Sequence, residues 1–242
     1  MPAIITDSFD YNDIVRVLDL DEAFVHHQID ALQPKYWRIV IKTKPKGLKI
    51  FAPVMVSGNR GIDHMIYMLS RDWQITKKQR LLDVPVGTAV FTAEKYSRMK
   101  LADITCLDYS HDMLERAACR FHDAGINNAK TMQGDVSSLP FANDTFDCVL
   151  CMNGLHVFPN KEKAYDEILR TLKPGGKLLA CFYIAGEQKI ADCLAKTVMT
   201  RVGWFTPPFD TAVDVRLRLE SSYDILDFCV EGAMLYFRAR KQ

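Results

Sequence analysis

The chain has 242 residues, 31 Lys plus Arg against 30 Asp plus Glu for a net charge of +1, and 48% hydrophobic, 10% aromatic and 25% charged residues. That length is ample for a buried core in one α/β-sized domain with an extension, or in two small domains, and the composition excludes disorder, collagen and coiled coil as the main class. The longest apolar run, Leu178 to Ala185, has eight residues, short of the roughly 18–20 that span a bilayer, and the balanced charge makes no overall field that would gather nucleic acid or an anionic membrane.

The opening MPAIITDSFD carries two acids and no base, the wrong polarity for a signal peptide, so a cytoplasmic protein is expected. Residues 1–30 hold seven acids and one base, Arg16, whereas residues 31–62 hold seven bases and no acid. A charge run of this kind reads as solvated surface before it reads as an anion-binding arm. Helical spacing marks Leu20–Leu32 ahead of Pro34 and again Ile62–Leu69, with the loop-like KTKPKGLK between them. His26 and His27 are adjacent; on a helix they point about 100° apart, which does not suit shared metal ligation.

From residue 80 the chain alternates apolar, β-rich runs with amphipathic stretches. RLLDVPV (80–86), DITCLDY (103–109), NAKTMQG (128–134), FDCVLCM (146–152), GKLLACFYI (176–184), YDILDFCVEG (223–232) and MLYFRAR (234–240) read as strands. The pattern predicts an α/β fold: a doubly wound, mostly parallel sheet with helices on both faces. The clearest helix is Ser110–Gly125, with Ser110 as cap, Met113, Leu114, Ala117, Ala118 and Phe121 on one face, and Gly125 as stop. Lys161–Leu172 is a second, closed by the turn Lys173-Pro174-Gly175-Gly176. The last two strand runs are separated by barely a residue, too little for a crossover, so they are predicted to pair antiparallel and give the sheet a reversed edge.

Seven cysteines is an odd number, and no disulfide framework is expected in a chain read as intracellular. Cys148 and Cys151 form a CxxC, but on a strand a separation of three puts them on opposite faces, so neither a metal site nor a redox pair is expected. Cys106, Cys181 and Cys229 read as small hydrophobes.

In an open parallel sheet, ligands bind beyond the carboxyl ends of the central strands. Asp83 ends the first strand and precedes Pro85-Val86-Gly87-Thr88-Ala89, a tight turn of small residues that lets backbone approach a ligand. Asp108 ends the second, placed to accept both hydroxyls of a ribose. Gly134-Asp135-Val136 ends the third, where an acid can accept from an exocyclic amine such as that of adenine. The dinucleotide fingerprint G-x-G-x-x-G would need glycines at 85, 87 and 90, where the chain has Pro85, Gly87 and Val90. A nicotinamide-dependent oxidoreductase is therefore not expected.

Leu81-Leu82-Asp83-Val84-Pro85-Val86-Gly87-Thr88-Ala89 resembles the first motif of the class I S-adenosylmethionine-dependent methyltransferases, keeping the acid and middle glycine, with Pro85 and Ala89 in place of the flanking glycines. LDYSHDMLERA (107–117) resembles the family's second motif. QGDVSSLPFANDTFDCVL (133–150) resembles the third and fourth in the branch with quinone-biosynthesis enzymes, and LRTLKPGGKLL (169–179) the turn into the fifth strand. The resemblance implies a seven-stranded Rossmann-like sheet over residues 80–242 with an antiparallel C-terminal hairpin strand, and a partly helical extension, 1–79, that covers the site. It implies S-adenosylmethionine as cofactor, S-adenosylhomocysteine as product, no metal, and methyl transfer to a small-molecule acceptor.

On the same resemblance Asp83, Pro85, Gly87 and Thr88 would hold the methionine end and Asp108 the ribose. Tyr109 and Met113 would flank adenine, Gly134, Asp135 and Val136 its edge, with Asn153 facing the methyl group. His156, just past the fourth strand, is the candidate base, because a histidine titrates near neutrality. Gly203-Trp204-Phe205-Thr206-Pro207-Pro208-Phe209 packs three aromatics and two prolines into seven residues, and Trp204, Phe205 and Phe209 are read as a wall of the acceptor pocket, where aromatic faces also favour a sulfonium. A buried corner packed on the sheet is the competing reading. Neither nucleic acid nor membrane is expected as partner, and a homodimer is allowed for. Two alternatives stand beside this reading: an RNA methyltransferase or binding module using the basic segment Lys35–Lys49, and a protein that binds the cofactor without turning it over.

Overall fold

The computed structural model of the protein describes residues 78–242 apart from Val202. The expected cover formed by residues 1–79, the two helical stretches within it, the acidic and basic segments, and His26 and His27 lie outside the described residues, Lys78 and Gln79 excepted.

Seven strands form one sheet: β1 (Gln79–Asp83), β2 (Ala102–Asp108), β3 (Ala129–Gln133), β4 (Phe146–Met152), β5 (Leu172–Tyr183), β6 (Tyr223–Glu231) and β7 (Met234–Lys241). Between them run α1 (Ala93–Arg98), α2 (His111–Asp123), α3 (Lys161–Thr171), α4 (Lys189–Leu194) and α5 (Ala212–Glu220), with a 3-10 turn at Val136–Ser138 and a π-helical turn at Ala195–Met199. The strand order is β3-β2-β1-β4-β5-β7-β6. Pairings among β1 to β5 are parallel, whereas β7 pairs antiparallel with both neighbours. The hairpin forms as expected, but its reversed strand is one place in from the edge. β7 buries its side chains from Met234 to Ala239, whereas β6 is half-exposed along most of its length and takes the edge.

Each strand's period of two sorts its residues between two packed layers. Leu81, Cys148, Leu150, Leu179 and Cys181 face one layer with Tyr96 of α1, Leu114 and Phe121 of α2 and Ala191 of α4. Leu82, Val149, Cys151, Leu178 and Ala180 face the other with Ala164 and Ile168 of α3 and Val215 and Leu219 of α5. Cys148 and Cys151 thus fall on opposite faces. The cap on α2 is present, the Ser110 hydroxyl accepting from Met113 N at 3.4 Å, and Gly125 takes the left-handed conformation (φ 63°) that ends it. The Lys173–Gly176 turn is absorbed into β5 as an irregularity, since Phe146 pairs with Leu172 and Cys148 already with Lys177.

From β1 the chain runs outward to β3, then returns across the sheet to β4 and β5. The order reverses between β1 and β4, and that switch point opens a crevice beyond their carboxyl ends.

Candidate active site

Asp83 closes β1 almost fully buried, and its Oδ2 accepts from the Tyr96 hydroxyl of α1 at 2.7 Å. Among the described residues, its buried Oδ1 has no hydrogen-bond partner. Burial pushes this carboxyl up to about 7 against the lowering effect of the Tyr96 and Thr92 hydroxyls, with Asp108 adding repulsion.

The chain then turns between β1 and α1, tied to the end of β2. Val86 N donates to Leu107 O at 3.0 Å and Gly87 N to Asp108 Oδ2 at 2.8 Å. Gly87 (φ 56°) and Ala89 (φ 54°) are both left-handed. Ala89 holds, at a cost of about 1 kcal/mol, the conformation a glycine takes freely. Among the described residues, a Cβ on Gly87 would meet nothing within 4 Å, so none of them crowds the turn there. Thr88 is buried, its carbonyl accepting from Arg120 Nε at 3.0 Å.

Asp108 is the hub. Besides Gly87 N it accepts from Ser110 N through Oδ1 at 2.9 Å, and the carboxylate keeps acceptor capacity for a further donor. Burial raises its pKa while the backbone N–H groups of Ser110, Gly87 and Tyr109 oppose that. Tyr109, next along, is 77% exposed, whereas Met113 on the first turn of α2 is buried. From β3, Gly134 N donates to Asp108 O at 3.0 Å, and a Cβ there would stand 3.0 Å from Leu107 Cδ1. Asp135 is exposed and caps the 3-10 turn, Oδ1 accepting from Ser137 N at 2.8 Å and Ser137 Oγ at 2.7 Å. One oxygen of Asp135 is thus engaged locally, and Val136 is buried behind it.

At the end of β4, Asn153 is left-handed (φ 55°) and donates from its backbone to Cys181 O at 2.7 Å. His156 does not suit the base role expected of it. It is buried, its Nδ1 accepts from Tyr183 N at 3.2 Å, and burial and the Lys161 charge push it down to about 3. A base needs a pKa near the working pH and a free lone pair, and this histidine is instead a neutral scaffold side chain.

His156 stacks edge-on against Phe205 (centroids 4.2 Å apart), and Tyr183 lies 5.1 Å from Phe205 and 5.4 Å from Phe209. Phe205 is buried in this cluster, while Trp204 and Phe209 are half-buried. The segment is therefore partly the packed corner of the competing reading, with two rings left accessible at the carboxyl end of β5. Sequence reading passes over Tyr96, thirteen residues from Asp83, and Lys161, whose signal is a cation in the first turn of a helix, against the macrodipole.

A methyltransferase domain family matches residues 81–176. Over 170 residues the chain is 30% identical to the ubiquinone/menaquinone biosynthesis C-methyltransferase UbiE of Proteus mirabilis (strain HI4320), a match spanning 64% of this chain and 67% of that protein. The chain belongs to the class I S-adenosylmethionine-dependent methyltransferases. The corresponding enzyme of Yersinia enterocolitica is 31% identical over 156 residues, 59% of this chain and 62% of that one. Among solved structures, an S-adenosylmethionine-dependent methyltransferase from Aquifex aeolicus superposes with a TM-score of 0.56 at 16% identity over 82% of this chain and 94% of that one. The [4+2]-cyclase SpnF superposes with a TM-score of 0.64 at 18% identity over 95% and 96%. The methyltransferase scaffold thus also carries a protein described by another reaction, so these two superpositions speak to fold alone.

The crevice fits the cofactor that the family implies. Among the described residues nothing crowds Gly87 and nothing pairs with the buried Oδ1 of Asp83, while Asp108 keeps acceptor capacity and Tyr109 presents an exposed ring beside it.

Proposed function

We propose that the protein moves a methyl group from S-adenosylmethionine to a carbon of a small aromatic acceptor of the hydroquinone class. The observation that carries this reading is the juxtaposition at one end of the sheet: the Asp108-tied turn and exposed Tyr109 beyond β1 and β2, and the Tyr183–Phe205–Phe209 aromatic corner beyond β5. The acceptor class follows the ubiquinone/menaquinone biosynthesis C-methyltransferases of Proteus mirabilis and Yersinia enterocolitica that the chain resembles.

Asp108 would take the ribose hydroxyls on its remaining lone pairs, Tyr109 and Met113 the faces of adenine, and Asp135 with the backbone of Val136 its edge beside Gly134. Asp83, Pro85, Gly87 and Thr88 would border the methionine end, with Asn153 toward the methyl group. When bound, the cofactor supplies an electrophilic methyl on a sulfonium. The residues' task is alignment, exclusion of water and a face that tolerates positive charge, which Trp204 and Phe209 offer. Ionisation of a hydroquinone hydroxyl, its proton passing to solvent, would make the ring carbon nucleophilic, and the proton displaced from that carbon would also leave to solvent, so the step does not call on His156 as a base. The near-zero net charge supports a small molecule over nucleic acid as partner. Among the described residues, no helix is long and apolar enough to cross a membrane.

Calorimetric titration with S-adenosylmethionine and S-adenosylhomocysteine tests the cofactor site, and transfer of labelled methyl to 1,4-naphthohydroquinone tests the acceptor class. Micromolar binding of both sulfur ligands is expected. Tyr109→Ala, at an exposed position, should keep the wild-type melting temperature and weaken binding about tenfold or more, since stacking on a base contributes about 1–3 kcal/mol. No binding of either ligand by the wild-type chain would overturn the proposal, and label appearing on oxygen would overturn carbon as the nucleophile.

A further inference from the structure

We propose that Lys161 is the positioning residue of the acceptor wall: its ammonium, carried on the first residue of α3, clamps the 204–209 segment at Thr206 and Phe209. The clamp rests on the reading of that segment as an acceptor wall, and its own geometry can be tested separately.

Lys161 is the first residue of α3 and is only 8% exposed. Lysine is almost never buried without a partner, and a cation at a helix N-terminus faces the positive end of the macrodipole. Both conditions make the position unfavourable unless the charge has work there. Its ammonium donates to Thr206 O and stands 5.9 Å from the centroid of the Phe209 ring. The Asp210 carboxylate acts on the ammonium favourably, and the Asp210 backbone oxygen accepts from Ala185 N at 2.9 Å. One charged group therefore reaches the backbone and an aromatic face of the same segment.

Thr206 is the point where the segment is held. Its N donates to His156 O at 2.9 Å and its hydroxyl to Val157 O at 2.7 Å, so Lys161 supplies the third tie on this residue. Phe205 precedes it directly, Phe209 follows three residues on, and both pack on Tyr183. A shift of Thr206 moves both rings relative to the mouth of the pocket. The Asp83–Gly87–Asp108 arrangement sits on β1 and β2 and shares no hydrogen bond with the clamp. The clamp should consequently govern the acceptor and spare the cofactor.

Lys161→Met keeps the apolar stem and removes the ammonium, and Lys161→Arg returns a charge. In full-length protein three quantities are measured: amide exchange over 203–210, the Kd of S-adenosylhomocysteine, and kcat and KM for 1,4-naphthohydroquinone. Losing a charged hydrogen bond should raise exchange over 203–210 about tenfold in Lys161→Met, and raise the hydroquinone KM by about the same factor. Exchange in α3, the Kd and kcat should remain within about twofold, and Lys161→Arg should recover most of the KM. A merely structural role would instead loosen α3 and the cofactor site together. Unchanged exchange over 203–210, or an equal rise in Kd and KM, overturns the clamp. A wild-type chain that leaves the hydroquinone unmethylated overturns the acceptor class, and the exchange data then decide the clamp alone. Should Lys161→Met not fold, Lys161→Gln is held to the same outcomes.

Discussion

Asp83 and His156 are buried behind the crevice with their pKa values displaced in opposite directions, the first up to about 7 and the second down to about 3. In the unfolded chain the two titrate near 3.9 and 6.5. What the protonated Asp83 contributes to stability is fully present below about pH 4 and lost as pH rises through 7; the His156 contribution is present above about pH 6.5 and lost as pH falls toward 3. Between about pH 4 and 6.5 folding takes up a proton at Asp83 and releases one at His156, so their slopes cancel. Relative to wild type, Asp83→Asn should gain stability with rising pH by about 1.4 kcal/mol per pH unit, and His156→Asn should lose it at a similar rate. Urea unfolding at several pH values from 4.5 to 6.5 checks this; profiles parallel to wild type would refute the assignment. The acids themselves are legible in the sequence because each ends an apolar run. The long-range contacts are not: Tyr96, the partner of Asp83, lies on the next helix, Lys161 and Thr206 are 45 residues apart, and no local pattern links either pair.

At the scale of elements, the first turn departs from its family's glycine pattern, and the structure shows a neighbouring loop shaped around the departure. Pro85 packs against the segment after β4. A Cβ on Gly154 would stand 2.4 Å from Pro85 Cδ, 2.6 Å from Phe158 Cζ and 2.8 Å from Cys151 Sγ. The three atoms come from different elements, so no single side chain can move to make room. Gly154→Ala should destabilise by about 1–3 kcal/mol, the usual range for overpacking. Pro85→Ala removes the closest of these contacts, so the double variant should recover part of that loss as a coupling energy. Strict additivity in thermal or urea unfolding would show that the two loops do not meet in this way. The sequence carries the turn, through Gly87, but not the dependence of Gly154 on Pro85, because that contact joins loops from non-consecutive strands.

For the whole molecule, the position of β7 decides how stability is distributed. All seven strands are readable in the sequence, and so is the hairpin pairing of the last two. Placing the reversed strand inside the sheet requires comparing their faces: Met234 to Arg238 are buried without interruption, while β6 carries Asp224, Asp227 and Glu231 and stays half-exposed. A strand apolar on both faces belongs between two others. β5 and β7 are each paired on both sides, and their residues Leu178–Tyr183 and Met234–Phe237 fill both core layers. β3, paired among the described residues with β2 alone, exposes Lys130 to Gln133. Opening free energy follows burial and pairing. Native-state amide exchange should therefore be slowest in Leu178–Phe182 and Leu235–Phe237, approaching the global unfolding limit, and faster by about a hundredfold or more in β3 and the outer-facing amides of β6. If β7 exchanges at the rate of β6, the hairpin opens as a unit from β5, and the C-terminal strand is then an appendage of the sheet and not one of its central members.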